Sequence, residues 1–324
     1  MIRSNTSAQV GAVIIGRNEG SRLIAGLKAA AGQVDYIVYV DSGSTDGSPQ
    51  AARDSGADVI ALDMSLPFTA ARARNTGMAH LQKNYLEIAY VQFIDGDCEL
   101  QPNWVAQARS HLDEHLNVAI VCGRRRERFP DASVYTRLID QEWDTPVGEA
   151  LSCGGDALMR VTAFDEVGGY NDDLIAGEEP ELCVRLRAAG WKVWRLDEEM
   201  TLHDAALSKF SQWWVRNKRA GHAFAEGMAM HGRKPEHHGV RETRSALIWG
   251  AVLPMIAVLG MFLSPWTLAL LLAWPLQIIR LGLREGDWLR AVFLTIGKLP
   301  EAQGMLSYFW HRIRRVRAGL IEYK

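Results

Sequence analysis

Two carboxylates one residue apart, Asp95-Gly96-Asp97, close the apolar run Ile88-Ala-Tyr-Val-Gln-Phe-Ile94. A β-rich run that stops abruptly in acids delivers negative charge to the C-terminal edge of a sheet. In open α/β sheets that edge is where ligands bind. Gly96 allows a tight turn, so both side chains can face one cation. Hard divalent ions are commonly held by one or two carboxylates together with substrate phosphates. The arrangement therefore points to a nucleoside-diphosphate site. By itself an Asp-Gly-Asp is also an ordinary turn, and its context has to decide.

The elements that must position these acids alternate through the first half of the chain. Residues 10–15 read as a strand, followed by Gly16-Arg-Asn-Glu-Gly20 and a helical pattern over 21–31. A second strand over 36–40 ends at Asp41. The turn Ser42-Gly-Ser-Thr-Asp-Gly-Ser48 follows, with Ser48-Pro49 starting a helix as cap and first-turn proline. A strand over 59–62, a helix over 69–83 and the strand into Asp95 continue the pattern. This predicts an α/β fold, a mostly parallel sheet with helices on both faces. No G-x-G-x-x-G follows the first strand and no G-x-x-x-x-G-K-[ST] occurs, which disfavours a dinucleotide oxidoreductase and a P-loop NTPase.

The 324 residues suffice for one large α/β domain with an appendage. With 48% hydrophobic and 23% charged residues, wholesale disorder is excluded, and a net charge of −2 carries no nucleic-acid signal. Lys and Arg gather after Lys209 and at the C-terminus, beside apolar sequence, which suits an anionic lipid face better than DNA. The four cysteines (Cys98, Cys122, Cys153, Cys183) have no paired spacing, so a reducing compartment is expected. Met1 to Val10 lacks the apolar core of a signal peptide, which implies a cytoplasmic N-terminus.

From Ser245 the composition changes. Residues 245–263 and 264–279 carry no charge, each near the lower limit of the roughly 17–25 residues that span hydrocarbon. They join at Ser264-Pro265 and are flanked by Arg241 and Arg244 before and Arg280 and Arg284 after. Positive charge on both flanks keeps both ends cytoplasmic. The expectation is a helical hairpin, spanning twice or re-entrant, with two buried helices of a soluble domain as the alternative. Trp310-His-Arg-Ile-Arg-Arg-Val-Arg317 reads as a basic amphipathic helix for an anionic surface, or as a solvated charged face. The chain thus divides into a catalytic part over 1–235, a hydrophobic hairpin over 245–284 and basic amphipathic helices over 285–324.

Several motifs in order give a family resemblance over about Val10 to Gly221: the chain resembles the family 2 glycosyltransferases, inverting nucleotide-sugar enzymes with the GT-A fold. Val13-Ile-Ile-Gly-Arg-Asn-Glu-Gly20 resembles the family's opening strand and loop, implying nucleotide contacts from Arg17, Asn18 and Glu19. In Val40-Asp-Ser-Gly-Ser-Thr-Asp-Gly47, Asp41 matches the residue that hydrogen-bonds the base, while Ser42 and Asp46 shape the turn. Ala71-Arg-Ala-Arg-Asn-Thr-Gly77 is similar to the family's A-R-N-x-G, placing Arg74 and Asn75 at the donor; guanidinium suits phosphate oxygens. Asp95-Gly96-Asp97 matches the D-x-D, with Asp95 facing ribose and metal and Asp97 ligating the cation.

Further on, Gly154-Gly155-Asp156 implies an acceptor-side role for Asp156. Relatives read E-D-x-D-L where this chain has Glu178-Glu179-Pro180-Glu181-Leu182, so Glu179 takes the place of the catalytic base and Glu178 is the other choice. These acids also suit the N-terminus of a helix starting at Pro180. His203 in Met200-Thr-Leu-His-Asp204 matches a further metal ligand, and imidazole tilts the choice between Mg²⁺ and Mn²⁺ toward Mn²⁺. Phe210-Ser-Gln-Trp-Trp-Val-Arg216 loosely resembles the Q-x-x-R-W of polymerising members, implying Trp213 and Arg216 near the acceptor, or tryptophans packed on a core.

The resemblance implies metal-dependent, inverting transfer from a UDP- or GDP-linked sugar. The apolar hairpin suggests a polyprenyl-linked acceptor at the cytoplasmic face of the cell inner membrane, in surface polysaccharide synthesis. A nucleotidyltransferase of the same α/β layout and an inactive membrane scaffold are the rival readings; no nucleic-acid partner is expected.

Overall fold

The computed structural model describes residues 9–316 and 319–321. Most of the segment judged for a signal peptide, and Arg317 of the basic stretch, lie outside the described residues. The chain divides into two units: Met1–Leu174 with Glu178–Ala206, and Ile175–Gly177 with Leu207–Lys324. The helix over 210–231, grouped by its motif with the catalytic part, falls in the second unit.

The first unit is built on a sheet whose described strands are β1 (Gln9–Gly16), β2 (Tyr36–Asp41), β3 (Asp58–Ala61), β4 (Ile88–Asp95), β5 (Cys98–Leu100), β6 (Val118–Glu127), β7 (Gly148–Ala150), β8 (Ala157–Arg160) and β9 (Lys192–His203). Its helices are α1 (Ser21–Ala30), α2 (Ser48–Asp54), α3 (Ala70–Asn84), α4 (Trp104–Glu114), α5 (Val134–Glu142), α6 (Val161–Glu166) and α7 (Glu178–Ala188). The strand order is β3-β2-β1-β4-β8-β6-β9-β5, with β7 on β9.

The expected parallel arrangement holds for β3-β2-β1-β4 and gives way to a mixed one beyond. β8 runs antiparallel to β4 and β6; β5 and β7 run antiparallel to β9. The reason is visible at Asp95. Parallel neighbours need a crossover of about a dozen residues, but β5 begins just past Asp97. It leaves the β4 ladder and pairs with the end of β9, setting Cys98 opposite His203.

Right-handed crossovers run one way from β1 to β2 to β3 and the other way from β3 to β4, so β1 and β4 flank the point where direction reverses. Register places Gly16 beside Asp41 and Ile15 beside Asp95, so three acid-bearing or loop-bearing strand ends share one edge. Close packing of α3 fixes this geometry. Gly77 faces Val13 and Val40, and a Cβ there would lie 2.4 Å from Val13 Cγ1. Thr69 caps α3 by accepting from the Arg72 N–H. Buried Val13, Ile14, Val38, Val40, Val91 and Phe93 form the middle of the core.

The second unit contains α8 (Phe210–His231), α9 (Val240–Leu247), α10 (Leu253–Gly260), α11 (Ala273–Glu285), α12 (Trp288–Ile296) and α13 (Lys298–Arg314). Glycines let α8 and α13 touch backbone to backbone: a Cβ on Gly221 would lie 2.0 Å from Glu301 O, and one on Gly304 1.8 Å from Lys218 O. Two 21-residue helical stretches, Val240–Gly260 and Pro265–Glu285, have mean hydropathy 1.5 and are long and apolar enough to cross a membrane. Only 17% and 6% of their apolar windows are buried, so they are not core helices of this unit. At the turn between them Phe262, Leu263 and Trp266 are more than four-fifths exposed.

Candidate active site

Arg74 is the hub of the acidic edge. It lies in the first turns of α3, is 2% exposed, and turns its guanidinium toward three carboxylates. One terminal nitrogen donates to Asp95 Oδ1 at 2.8 Å; the other pairs with Glu178 Oε1 and Glu179 Oε1, each at 2.9 Å. Asp95 of the D-x-D and the glutamate pair thus meet at one guanidinium. Its charge is shared among these protein carboxylates. Gly155 packs against the pair, and a Cβ there would lie 2.5 Å from an Arg74 nitrogen and 2.9 Å from Asp95 Oδ2.

Asp95 is held from the other side as well. Arg125 reaches Asp95 Oδ2 at 3.3 Å and Asp156 Oδ2 at 3.4 Å, with its guanidinium 4.7 Å over the Trp143 ring. Asp156 accepts from the Asp95 N–H at 3.0 Å and from Thr201 Oγ1 at 2.8 Å. It is fully buried. Asp156 sits beneath Asp95 and fixes the strand end.

Asp97 is buried and faces His203, with Oδ1 3.3 Å from Nε2. His203 Nδ1 lies 3.4 Å from Glu127 Oε2, and Trp143 meets the ring edge-on at 4.8 Å. Burial, then the nearby Arg125 charge, push the His203 pKa down, although Glu127 pulls the other way. The neutral imidazole this favours is the form that ligates metals. Ligand atoms of Asp97, Cys98 and His203 lie within 4.8 Å of one another, as do those of Asp95, Cys98 and Asp156. Asp97 with His203 fits a divalent cation. Cys98 is fully buried with its thiol pKa raised, so it remains a protonated filler. Across the cluster, Arg74 pairs with Asp95, Glu178 and Glu179, Arg125 with Asp95 and Asp156, and His203 lies between Asp97 and Glu127, an acid-rich setting suited to a cation.

Within the glutamate pair the environments differ. The Glu178 side chain is 4% exposed, while that of Glu179 is 14% exposed. Burial, with the charge of Glu178 adding to it and Arg74 opposing it, pushes the Glu179 pKa up to about 7. A carboxylate poised there can take up a proton at neutral pH. α7 begins at Glu178, two residues before the expected Pro180, so both glutamates occupy its first turn.

The nucleotide-side residues gather at the ends of β1 and β2. The Asp41 carboxylate accepts from the Gly43 and Ser44 N–H groups at 3.1 and 3.0 Å and from Tyr39 OH at 3.2 Å. Ser42 is buried, its hydroxyl without a hydrogen bond. Asn18, at φ 57°, accepts from the Thr45 N–H at 2.7 Å and ties the two loops together. Arg17 is exposed beside it. Glu19 pairs with Arg22 at 2.7 Å and lies against Gly96, where a Cβ would come within 3.0 Å of its side chain. Asn75 points elsewhere: its amide donates to Tyr170 O and Asp172 Oδ1 and accepts from the Tyr170 N–H. It anchors the 170–172 loop. Trp213 and Arg216 belong to α8 in the second unit, where Trp213 is buried edge-on against Phe293 at 5.0 Å.

The sequence reading passed over Arg125, Glu127 and Thr201. The signal for Arg125 and Glu127 was the apolar run Val118-Ala-Ile-Val-Cys-Gly123 breaking into Arg124-Arg-Arg-Glu127, the same strand-end logic that marks Asp95.

Comparison with known proteins now places the domain. Residues 12–167 match the model of glycosyl transferase family 2. These residues belong to that family. The succinoglycan biosynthesis protein ExoA of Rhizobium meliloti is 29% identical over 187 residues, 55% of this chain and 56% of the relative. A glucomannan 4-beta-mannosyltransferase of Arabidopsis thaliana is 27% identical over 124 residues, 35% of this chain and 23% of the relative. The chain thus spans little more than half of ExoA and a quarter or less of the plant enzyme. Among solved structures, a mannosyltransferase from Pyrobaculum calidifontis, in complex with GDP-Man and Mn²⁺, aligns with TM-score 0.66 at 17% identity, covering 94% of this chain and 88% of that one. The family 2 domain therefore has the GT-A fold.

Proposed function

We propose that this chain is an inverting glycosyltransferase that uses a divalent cation and a UDP- or GDP-linked sugar and acts on a polyprenyl-linked acceptor at the cytoplasmic face of the inner membrane. The observation that carries the reading is Arg74 joining Asp95 to Glu178 and Glu179, beside Asp97 and His203, at the edge where the sheet changes direction. The loops at Asn18 and Asp41 line the same edge and receive the nucleotide. Arg74, Arg125 and Asp156 hold Asp95 toward ribose and cation. Glu179 takes the proton of the acceptor hydroxyl as its oxygen attacks the anomeric carbon opposite the diphosphate. Asp97 and His203 would hold Mg²⁺ or Mn²⁺, which would supply Lewis-acid neutralisation of the departing diphosphate.

The two outward-facing apolar helices support the membrane and lipid part of the reading, and resemblance to a succinoglycan biosynthesis protein supports a surface polysaccharide as product. The test supplies membranes containing the chain with labelled GDP-mannose or UDP-glucose and Mn²⁺, and reads label in the organic-solvent phase. Label that appears with wild type and vanishes in Asp97→Ala and in EDTA is expected. Transfer that persists unchanged in either condition refutes the metal reading, and transfer only to water-soluble acceptors refutes the lipid one.

A further inference from the structure

We propose that Glu127 is a positioning residue: it fixes the His203 ring so that Nε2 presents a lone pair beside Asp97. The inference rests on the cation reading above. Glu127 and His203 end β6 and β9 and are register partners across that parallel ladder. The Glu127 side chain is 0% exposed, and its carboxylate is pinned by the Phe129 N–H at 3.3 Å and the Ala205 N–H at 3.1 Å. A carboxylate offers only acceptors, so the ring nitrogen 3.4 Å from Oε2 must be Nδ1–H. The proton then belongs on Nδ1, and Nε2 turns a lone pair toward Asp97 Oδ1 at 3.3 Å. Two such atoms repel unless a second ring proton or a cation lies between them. Adjacent ligands on a six-coordinate ion with bonds of about 2.1 Å sit roughly 3 Å apart, close to the gap observed. Trp143 against the ring edge keeps the imidazole from swinging away. Outer carboxylates that orient ligating histidines are worth about 10–100-fold in metal affinity.

The test titrates Mn²⁺ alone into the detergent-solubilised full chain and follows free Mn²⁺ by electron paramagnetic resonance. In Glu127→Gln the amide NH₂ can face Nδ1 and move the ring proton to Nε2, so Kd should rise by about tenfold or more. Because Glu127 acts through His203, Glu127→Gln should add nothing to His203→Ala. An unchanged Kd in Glu127→Gln, or an equal loss in both backgrounds, overturns the proposal while leaving the cation reading intact. Failure of the wild-type chain to take up Mn²⁺ overturns both. A measurement without variants guards against misfolding: long-range ¹⁵N NMR of the metal-free wild type at pH 8 should show the His203 Nδ1–H tautomer, and the Nε2–H tautomer alone overturns the assignment.

Discussion

Replacing Glu179 by Gln removes one ionisable oxygen and little volume, so it separates the charge of this side chain from its packing. The group's pKa is displaced from an ordinary 4.5 to about 7, a penalty on the ionised form of roughly 3 kcal/mol at 1.36 kcal/mol per pH unit. Two consequences follow with opposite signs. As the base, Glu179 must be ionised, so kcat/KM should rise with pH to a plateau above 7, and at pH 6 only about a tenth of the molecules would be active. Glu179→Gln should lower kcat by about 10²–10⁴-fold and abolish that limb, leaving donor KM nearly unchanged. For stability, the folded state holds this proton more tightly than the unfolded chain. Its contribution is therefore fully present below about 4.5 and lost as pH rises through about 7. At pH 8 the Gln variant escapes the penalty and should melt at or above the wild-type temperature, the advantage shrinking toward pH 5. Transfer rates across pH 5–9 together with thermal melts at pH 5 and 8 supply the check. A Gln variant with wild-type turnover, or with its pH limb intact, refutes the base assignment; a variant that melts lower at pH 8 refutes the account of Glu179 as a buried carboxylate under strain.

Arg74→Met strips three carboxylates of their shared cation, and breaking a buried pair by removing one partner costs about 3–5 kcal/mol. A melting point lower by roughly 10 °C is expected, read by differential scanning fluorimetry, with any residual pH limb moved above that of wild type because Arg74 holds Glu179 down. Gly155→Ala pushes a methyl group between Arg74 and Asp95 and should reduce transfer by about 10²-fold; Gly154→Ala, with nothing within 4 Å of the added carbon, should behave as wild type in the same assay. The full chain should stay in the membrane pellet through an alkaline carbonate wash, given the outward-facing helices Val240–Gly260 and Pro265–Glu285, and recovery in the supernatant would remove the membrane reading.

What the sequence disclosed, and what it withheld, follows from how local each signal is. Asp95 and Asp97 were legible because a single strand and a two-residue turn suffice to place them. The two apolar helical stretches were legible because a long uncharged run needs no partner to be recognised. Arg74 was legible but its partners were not: the residues around it predict a helix start but do not say which anion the guanidinium meets, and three carboxylates arrive there from β4 and α7. Asp156 reads as a loop acid after two glycines, yet β8 starts at the next residue and pairs Ala157 with Phe93. That antiparallel pairing carries Asp156 under the β4 edge, and no local pattern encodes it.

Arg125 and Glu127 show the limit most sharply. An undisturbed strand would send Arg125 and Glu127 to one face and Arg124 and Arg126 to the other. The β6–β9 ladder instead shifts register between Cys122 and Arg124 and again between Arg124 and Arg125. Irregularities of this kind re-aim side chains, commonly beside functional sites. Arg124 is consequently buried against Asp140 although its neighbour Arg125 also points inward, to Asp95 and Asp156. Two successive basic residues can serve the interior only because the ladder slips between them. A reading by alternation must therefore lose one of them, and the one it loses here is the arginine that holds Asp95.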